Sequence, residues 1–184
     1  LHLLSRRQRQ MCIRDRDLTT FGKIIGAGMP VGAYGGRREI MEMVSPVGAV
    51  YQAGTLSGNP VAMAAGIAQL TYLKEHPEVY TKLNKTADSF FAELQKIVDE
   101  SGRGYQVNHI CSLGSMFCTT QEVYDYETAK TSDTKAYADY CNYMQNHGIY
   151  LAPAQFEAMF ISAAHTQEQL AQTLETARNY FKNN

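Results

Sequence analysis

The chain has 184 residues, of which 45% are hydrophobic and 19% charged, and it contains 17 Lys and Arg against 18 Asp and Glu. This composition is ordinary for a globular protein with a hydrophobic core. A net charge of -1 lacks the basic surface that nucleic-acid binding needs. No apolar stretch reaches the roughly 18 residues that a membrane span requires. We therefore expect neither a nucleic-acid partner nor a membrane segment.

The cysteines and histidines argue against a disulfide framework and against a metal site. Cys12, Cys111, Cys118 and Cys141 form no C-x-x-C pair and are too sparse for a disulfide scaffold. Reduced, buried thiols in a cytoplasmic protein are the interpretation that this spacing favours. The histidines lack the i, i+4 spacing of a helical metal site. The sequence therefore predicts a cytoplasmic protein without a metal ion.

The first 16 residues differ in composition from the rest of the chain. They hold five of its nine arginines and show neither strand alternation nor a helical apolar stripe, whereas regular patterning begins at residue 17. Neither a signal peptide nor an organellar transit peptide has this composition. Our hypothesis is that residues 1–16 are a non-native or disordered segment that arose as a cloning or sequencing artefact. A short native basic arm is the alternative.

Residues 17–76 are rich in glycine. Ten of the 14 glycines lie within residues 17–66, which indicates sharp turns or backbone that approaches a ligand closely. A β-branched run at 18–21 predicts a strand, and Asn59-Pro60 begins a predicted helix whose Ala and Gly content indicates burial. Val61, Ala65, Ala68 and Tyr72 recur on it at helical spacing. The pattern breaks at His76-Pro77, where we place a domain boundary.

Residues 77–184 are predicted to form a separate, small α+β domain. It begins with an amphipathic helix that ends near Gly102. Strands are predicted at 105–110 and 115–120, joined by a turn at 113–114, and a helix is predicted at 132–147. Two further strands at 149–152 and 159–163 precede a last helix, which begins with a capping box at 166–169.

Lys23 is the candidate for covalent chemistry. It follows the predicted first strand and precedes Ile24-Ile25 and a glycine series, so we expect its amine at a strand end in partly apolar surroundings. Such surroundings favour the neutral amine, which is the form that attacks the carbonyl group of a cofactor. A surface lysine that lies over apolar neighbours is the alternative on position alone.

Two further segments carry candidate binding residues. In residues 54–60, the hydroxyls of Thr55 and Ser57 precede a helix start, where backbone N–H groups are able to bind a phosphate. Helix capping by Ser57 or Asn59 is the alternative. Glu157 lies among apolar and aromatic residues, which indicates either a buried functional carboxylate or a turn residue that faces water.

The order of these segments resembles the class III aminotransferase family of pyridoxal-phosphate enzymes. The matching stretches are DLTTFGKIIGAGMPVGAYGG at 17–36, YQAGTLSGNP at 51–60, GIYLAPAQFE at 148–157 and AHT at 164–166. The resemblance implies an α/β fold, the C-terminal part of a fold-type I pyridoxal-phosphate transferase. In it, residues 17–76 are the end of the large cofactor domain and residues 77–184 are the small α+β domain.

The resemblance also implies roles for individual residues. Lys23 matches the lysine that binds pyridoxal 5′-phosphate covalently and moves protons between cofactor and substrate. Gly54 and Thr55 match the residues that hold the cofactor phosphate of the neighbouring subunit, and Glu157 matches a carboxylate at the substrate entrance. A homodimer and a small-molecule substrate are therefore implied.

The stretch YLAPAQFE at 150–157 favours an aminomutase of this family over a plain ω-transaminase. The implied reaction converts glutamate 1-semialdehyde into the tetrapyrrole precursor 5-aminolevulinate. The upstream region of the family, which supplies an aspartate to the pyridine nitrogen, has no match here, so we expect the 184 residues alone to be inactive. An ω-amino-acid or acetylornithine-type transaminase and a non-catalytic α+β interaction domain are the alternatives.

Overall fold

The computed structural model describes residues 16–183, so the hypothesis on residues 1–16 lies, except for Arg16, outside the described residues. The described chain divides between His76 and Pro77 into two compact units. We call residues 16–76 the N-terminal unit and residues 77–183 the C-terminal unit. In this described part, no helix is long and apolar enough to cross a membrane.

The N-terminal unit contains a strand pair, a tight turn and one long helix. Its elements are β1 (Leu18–Phe21), a 3₁₀ turn (Lys23–Gly26), β2 (Ala33–Gly36), α1 (Arg38–Met41) and α2 (Pro60–Glu75). The strands β1 and β2 pair antiparallel, with Leu18 opposite Gly36 and Phe21 opposite Ala33. The strand predicted at 18–21 is confirmed.

Helix α2 begins where the sequence predicts it. The side-chain oxygen of Asn59 accepts hydrogen bonds from the backbone N–H groups of Val61 and Ala62, both at 3.1 Å. Pro60 occupies the first turn of the helix, where its missing N–H costs nothing. Asn59, and not Ser57, is therefore the residue that caps α2.

The prediction that α2 is buried is wrong for the described residues. The buried positions on this helix are Ala62 and Gly66, not the predicted set at 61, 65, 68 and 72. Gly66 packs so closely on the 3₁₀ turn that a Cβ there would lie 2.8 Å from the carbonyl oxygen of Ile25. By contrast, Val61 and Ile67 are 63% and 67% exposed. A helix that is apolar on all sides is typically enclosed by polypeptide. The described residues cover only one side of α2.

The C-terminal unit is a three-stranded antiparallel sheet packed with helices. Its elements are α3 (Glu78–Glu100), β3 (Gln106–Ile110), β4 (Leu113–Phe117), α4 (Tyr126–Ala129), α5 (Thr134–Asn146), β5 (Met159–Phe160) and α6 (Gln167–Asn183), and the strand order is β3-β4-β5. The three long predicted helices are confirmed. The capping box of α6 is also present, because Thr166 and Gln169 each donate a backbone N–H to the other's side chain, at 3.0 and 3.2 Å.

The predicted strands of this unit need three corrections. The turn between β3 and β4 lies at Cys111-Ser112, where Cys111 has a φ of 52°, and not at 113–114, which belong to β4. Of the strand predicted at 159–163, only Met159–Phe160 pairs with β4. Residues 149–152 are not a strand, because the backbone there binds side chains of α5 and not a neighbouring strand.

The core of the C-terminal unit lies between α3, α5, α6 and one face of the sheet. Helix α3 contributes a buried face, and β4, α5 and α6 supply the opposing side chains, which together include Phe90, Phe91, Leu94, Ile97, Val98, Met116, Tyr140, Met144 and Ala177. Arg178 of α6 pairs with Glu93 at 2.5 Å and with Glu100 at 3.0 Å, both on α3. These contacts hold the sheet and the segments that follow it in place.

Two free thiols are buried in this core, in agreement with the sequence-based expectation. Cys118 is 3% exposed and Cys141 is 8% exposed, whereas Cys111 is only partly buried and Cys12 lies outside the described residues. Burial raises the pKa of Cys118 to about 12, and the nearby Asp133 adds to this effect. Burial also raises the pKa of Cys141.

We expect these two thiols to resist alkylation in the folded chain. Only the thiolate reacts, and a thiol with a pKa of about 12 is ionised to roughly one part in 10⁴ at pH 8. In a Cys12→Ser background, N-ethylmaleimide at pH 8 should modify Cys111 first and spare Cys118 and Cys141 until urea unfolds the unit. The Cys118 rate should rise about tenfold per pH unit below its pKa. Peptide mass spectrometry measures both rates, and equal modification of Cys111 and Cys118 would contradict the burial.

Candidate functional site

Lys23 lies directly after β1, at the first position of the 3₁₀ turn. Its φ of 56° is in the left-handed region, which costs a residue with a side chain about 1–2 kcal/mol. Ala27, at the end of the turn, is also left-handed, with a φ of 50°. Backbone strain of this kind is concentrated at functional positions, which makes this turn, with Lys23 at its start, a candidate functional segment.

The backbone of Lys23 is held firmly while its side chain is accessible. Gly26 is buried, and a Cβ there would lie 3.1 Å from the Cβ of Val31. Gly66 of α2 contacts the same turn from the other side. Lys23 itself is exposed, so the expectation of partly apolar surroundings is not met within residues 16–183.

Gly54 and Thr55 lie in a loop of consecutive turns before α2. Ser57 donates its N–H to the carbonyl of Gly54 at 2.9 Å, and Asn59 donates its N–H to the carbonyl of Leu56 at 3.1 Å. A Cβ at position 54 would lie 2.8 Å from the Ser57 hydroxyl oxygen. Thr55 is exposed. Because Asn59 already occupies the first N–H groups of α2, an anion in this region would be bound by the loop and not by the helix end.

Glu157 is a turn residue with an accessible side chain. Its backbone N–H donates to the carbonyl of Ala154 at 3.1 Å, and the residue is exposed. Of the two alternatives left open by the sequence, the turn residue is confirmed. Glu157 borders a cavity of about 650 Å³ within the C-terminal unit, together with His165 and Gln169. Among the described residues that line this cavity there is one carboxylate, that of Glu157, and no Lys or Arg.

The segment that carries Glu157, residues 149–158, has no regular secondary structure and is held by side chains. The Tyr137 hydroxyl donates to the carbonyl oxygen of Ala152 at 2.9 Å, and the Cys141 thiol donates to the same oxygen at 3.4 Å. Burial raises the pKa of Tyr137, so its phenol remains a donor over the whole working pH range. Helix α5 therefore anchors the first half of the segment.

Gln155 anchors the second half, and sequence analysis assigned it no role. It is 4% exposed. Its amide Nε2 donates to the carbonyl of Met116 at 2.7 Å, and its Oε1 accepts from the N–H of Cys118 at 3.5 Å. The signal in the sequence was one uncharged polar residue in an apolar stretch. Its importance was missed because a sequence does not show which polar residues are buried.

The candidate residues are divided between the two units. Lys23, Gly54 and Thr55 belong to the N-terminal unit, whereas Glu157 belongs to the C-terminal unit. Within the N-terminal unit, α2 relates the two candidate segments, because its start follows the 54–55 loop and its second turn packs on the Lys23 turn. Across residues 16–183, no group of three or more His, Cys, Asp and Glu side chains is placed to hold a metal ion.

Comparison with known proteins identifies the family. The chain matches the model for class III aminotransferases over residues 13–179, and it belongs to that family. It is similar to glutamate-1-semialdehyde 2,1-aminomutase 1 of Lachnoclostridium phytofermentans, with 61% identity over 166 residues that cover 90% of this chain and 39% of that protein. The resemblance found in the sequence is confirmed.

Solved structures of the same family share this fold. A β-phenylalanine aminotransferase from Variovorax paradoxus superimposes with a TM-score of 0.83 at 28% identity, over 95% of this chain and 40% of that chain. A transaminase with PLP bound superimposes with a TM-score of 0.78 at 25% identity, over 94% of this chain and 39% of that chain. The α/β fold is thus part of a class III transaminase fold, and the chain spans about two fifths of the length of the proteins it matches.

Proposed function

We propose that this chain is the C-terminal part of an enzyme that converts glutamate 1-semialdehyde into 5-aminolevulinate by moving an amino group within the substrate. The observation that carries the proposal is the 61% identity over 166 residues to a protein named for this aminomutase activity. Because the chain spans 39% of that relative, the activity belongs to the whole enzyme. We expect the 184 residues alone to be inactive.

The residues of the N-terminal unit fit pyridoxal 5′-phosphate as the cofactor. When bound, this cofactor supplies an electron-withdrawing ring that stabilises negative charge on a substrate carbon. Lys23 offers an accessible amine on a rigid, strained turn. Gly54 leaves open a space that a Cβ would fill, beside the Ser57 hydroxyl, and Thr55 is exposed next to it. Lys23 would hold one cofactor covalently, and the Gly54 N–H and the Thr55 hydroxyl would bind the phosphate of the cofactor held by the neighbouring subunit of the proposed homodimer.

Lys23 is also the proton carrier of the proposed reaction. Its Nζ accepts a proton from one carbon and returns it to another, which general acid–base catalysis requires of a single, well-positioned group. The left-handed turn fixes the Cα of Lys23, and the side chain is long enough for its Nζ to reach both carbons. The fixed backbone therefore limits the directions from which the amine approaches.

Glu157 belongs to the substrate entrance in this proposal. The substrate carries an amine, and the Glu157 carboxylate would attract its protonated form, since no Lys or Arg is among the described residues that line the same cavity. The carboxylate is accessible, so it is able to meet a ligand from solvent. We assign it a role in binding and no chemical step.

We further propose a homodimer in the cytoplasm, with residues 17–76 at the end of the cofactor domain and residues 77–184 as the small domain. The division of the described chain between His76 and Pro77 supports these domains. The exposed apolar side chains of α2, such as Val61 and Ile67, support an assembly in which further polypeptide covers this helix.

A chimeric enzyme tests the proposal. In it, residues 17–184 replace the aligned segment of the Lachnoclostridium relative. We expect the chimera to form 5-aminolevulinate from glutamate 1-semialdehyde with no added amino donor or keto acid. An ω-amino-acid or acetylornithine-type transaminase would need one, so complete dependence on added 2-oxoglutarate would overturn the proposal. The unaltered relative is the positive control.

A further inference from the structure

We propose that Gln155 is a positioning residue for Glu157. By binding the end of β4, its amide holds residues 153–158 in the register that turns Glu157 toward the cavity of about 650 Å³. Whether Gln155 holds this segment does not depend on the proposed function. The consequence for catalysis rests on the proposed function, in which Glu157 meets the substrate.

The attachments of this segment are closely spaced. Tyr137 and Cys141 hold the carbonyl of Ala152, and Gln155 holds the backbone of β4 three residues later. Only two residues separate the attachment points, so the chain between them has little freedom. Glu157 follows Gln155 by two residues, and its own N–H bonds back to Ala154 at 3.1 Å. The position of Glu157 therefore depends on where Gln155 is held.

Neighbouring residues of the segment border different cavities. Phe156 borders a cavity of about 470 Å³ beside the sheet, together with Ser115 and Phe117 of β4. Glu157 borders the cavity of about 650 Å³, and Ala158 borders both. The segment is thus a wall between the two cavities. A shift of the segment by one residue would move Phe156 to the position of Glu157 and would place an aromatic ring where the carboxylate belongs.

Few other side chains would satisfy the two backbone groups that Gln155 binds. Met116 and Cys118 are 1% and 3% exposed, so their backbone groups have little access to water. Gln155 supplies one donor and one acceptor at the required length. A methionine supplies neither, and a glutamate keeps the acceptor but places a carboxylate against the carbonyl oxygen of Met116.

The direct test is hydrogen exchange by mass spectrometry on the chimeric enzyme. We expect Gln155→Met to speed amide exchange in residues 149–160 by about tenfold, since an attachment of the segment is lost. Peptides from 87–98 of α3 should exchange as in the unaltered chain. Gln145→Met is the matched control, because Gln145 is exposed on α5, and this variant should leave 149–160 unchanged. Gln155→Glu is the second variant, and we expect the same local increase.

The catalytic test uses the chimera. Because Gln155 acts through a binding residue, Gln155→Met should raise the KM for glutamate 1-semialdehyde about tenfold and change kcat less than about threefold. Unchanged exchange in 149–160 together with an unchanged KM would show that Gln155 is a core residue only, and would overturn the proposal. An inactive parent chimera would count against the proposed function, whereas the exchange measurement would still decide whether Gln155 holds the segment.

Discussion

Replacement of Lys23 by alanine is expected to lower the kcat of the chimeric enzyme at least about 10³-fold, because one amine is asked both to hold the cofactor and to carry the proton. The variant should fold, since Lys23 is exposed and its left-handed φ of 56° is a property of the turn. The measurement is the rate of 5-aminolevulinate formation at saturating substrate. Retention of more than about a tenth of the activity would exclude Lys23 from both roles.

Two further variants separate the charge of Lys23 from its chemistry. Lys23→Arg keeps a positive charge and a long side chain but offers no amine that attacks a carbonyl, so we expect it to be as inactive as Lys23→Ala. Lys74→Ala is the matched control, because Lys74 is an exposed lysine of α2 in the same unit, and it should keep its activity. Borohydride reduction followed by mass spectrometry provides a second readout, because the mass of one cofactor should be added at Lys23 in the parent and not in either Lys23 variant.

Elements specified by neighbouring residues could be predicted from the sequence. The Asn59-Pro60 helix start and the Thr166–Gln169 capping box depend on side chains that bond to backbone within three residues. The apolar face of α3 follows from its own periodicity. For such features the sequence contains both partners of each interaction, so the prediction requires no knowledge of the tertiary structure.

Features specified by distant residues could not be predicted in this way. Residues 149–152 have a strand-like composition, yet Tyr137 and Cys141 of α5 take the backbone carbonyl that a partner strand would need. Gln155 is bound to residues 37 and 39 positions away along the chain. Helix α2 has the composition of a buried helix, but the described residues cover only its Ala62 and Gly66 side. In each case the deciding partner is remote in sequence or lies outside the described residues.

The candidate site shows the same division. Lys23 was identified from its place after a strand and before a glycine series, and the structure adds the strained turn that holds it. The exposure of its side chain agrees with the alternative of a surface lysine. The composition of the flanking residues could not decide between the two interpretations, because it does not show what covers them. For Glu157 the composition was equally compatible with burial and exposure. The structure shows that Glu157 lies in a turn, with its N–H bonded to the carbonyl of Ala154, and that the residue is exposed.

The largest expected effect on stability is at Gly114 in β4. A Cβ at this position would lie 2.4 Å from the ring of Phe91, which is 1% exposed and belongs to the packed core. We expect Gly114→Ala to destabilise the C-terminal unit by about 3 kcal/mol, because an overpacked core forces side chains off their preferred rotamers. Urea unfolding measures the change. Tyrosine fluorescence is a suitable probe, because the chain has no Trp and Tyr137 and Tyr140 are buried in this unit.

Two additional variants assign this effect to the contact with Phe91. Gly35→Ala is the matched control, since a Cβ at Gly35 meets nothing within 4 Å, and it should leave the unfolding of the C-terminal unit unchanged. Phe91→Leu removes the ring and costs stability by itself, about 1–2 kcal/mol. In the double variant Gly114→Ala/Phe91→Leu, the smaller side chain makes room for the new methyl group. The double variant should therefore lose less stability than the sum of the two single variants, by more than about 0.5 kcal/mol. Strict additivity would mean that the ring of Phe91 is not what requires glycine at position 114.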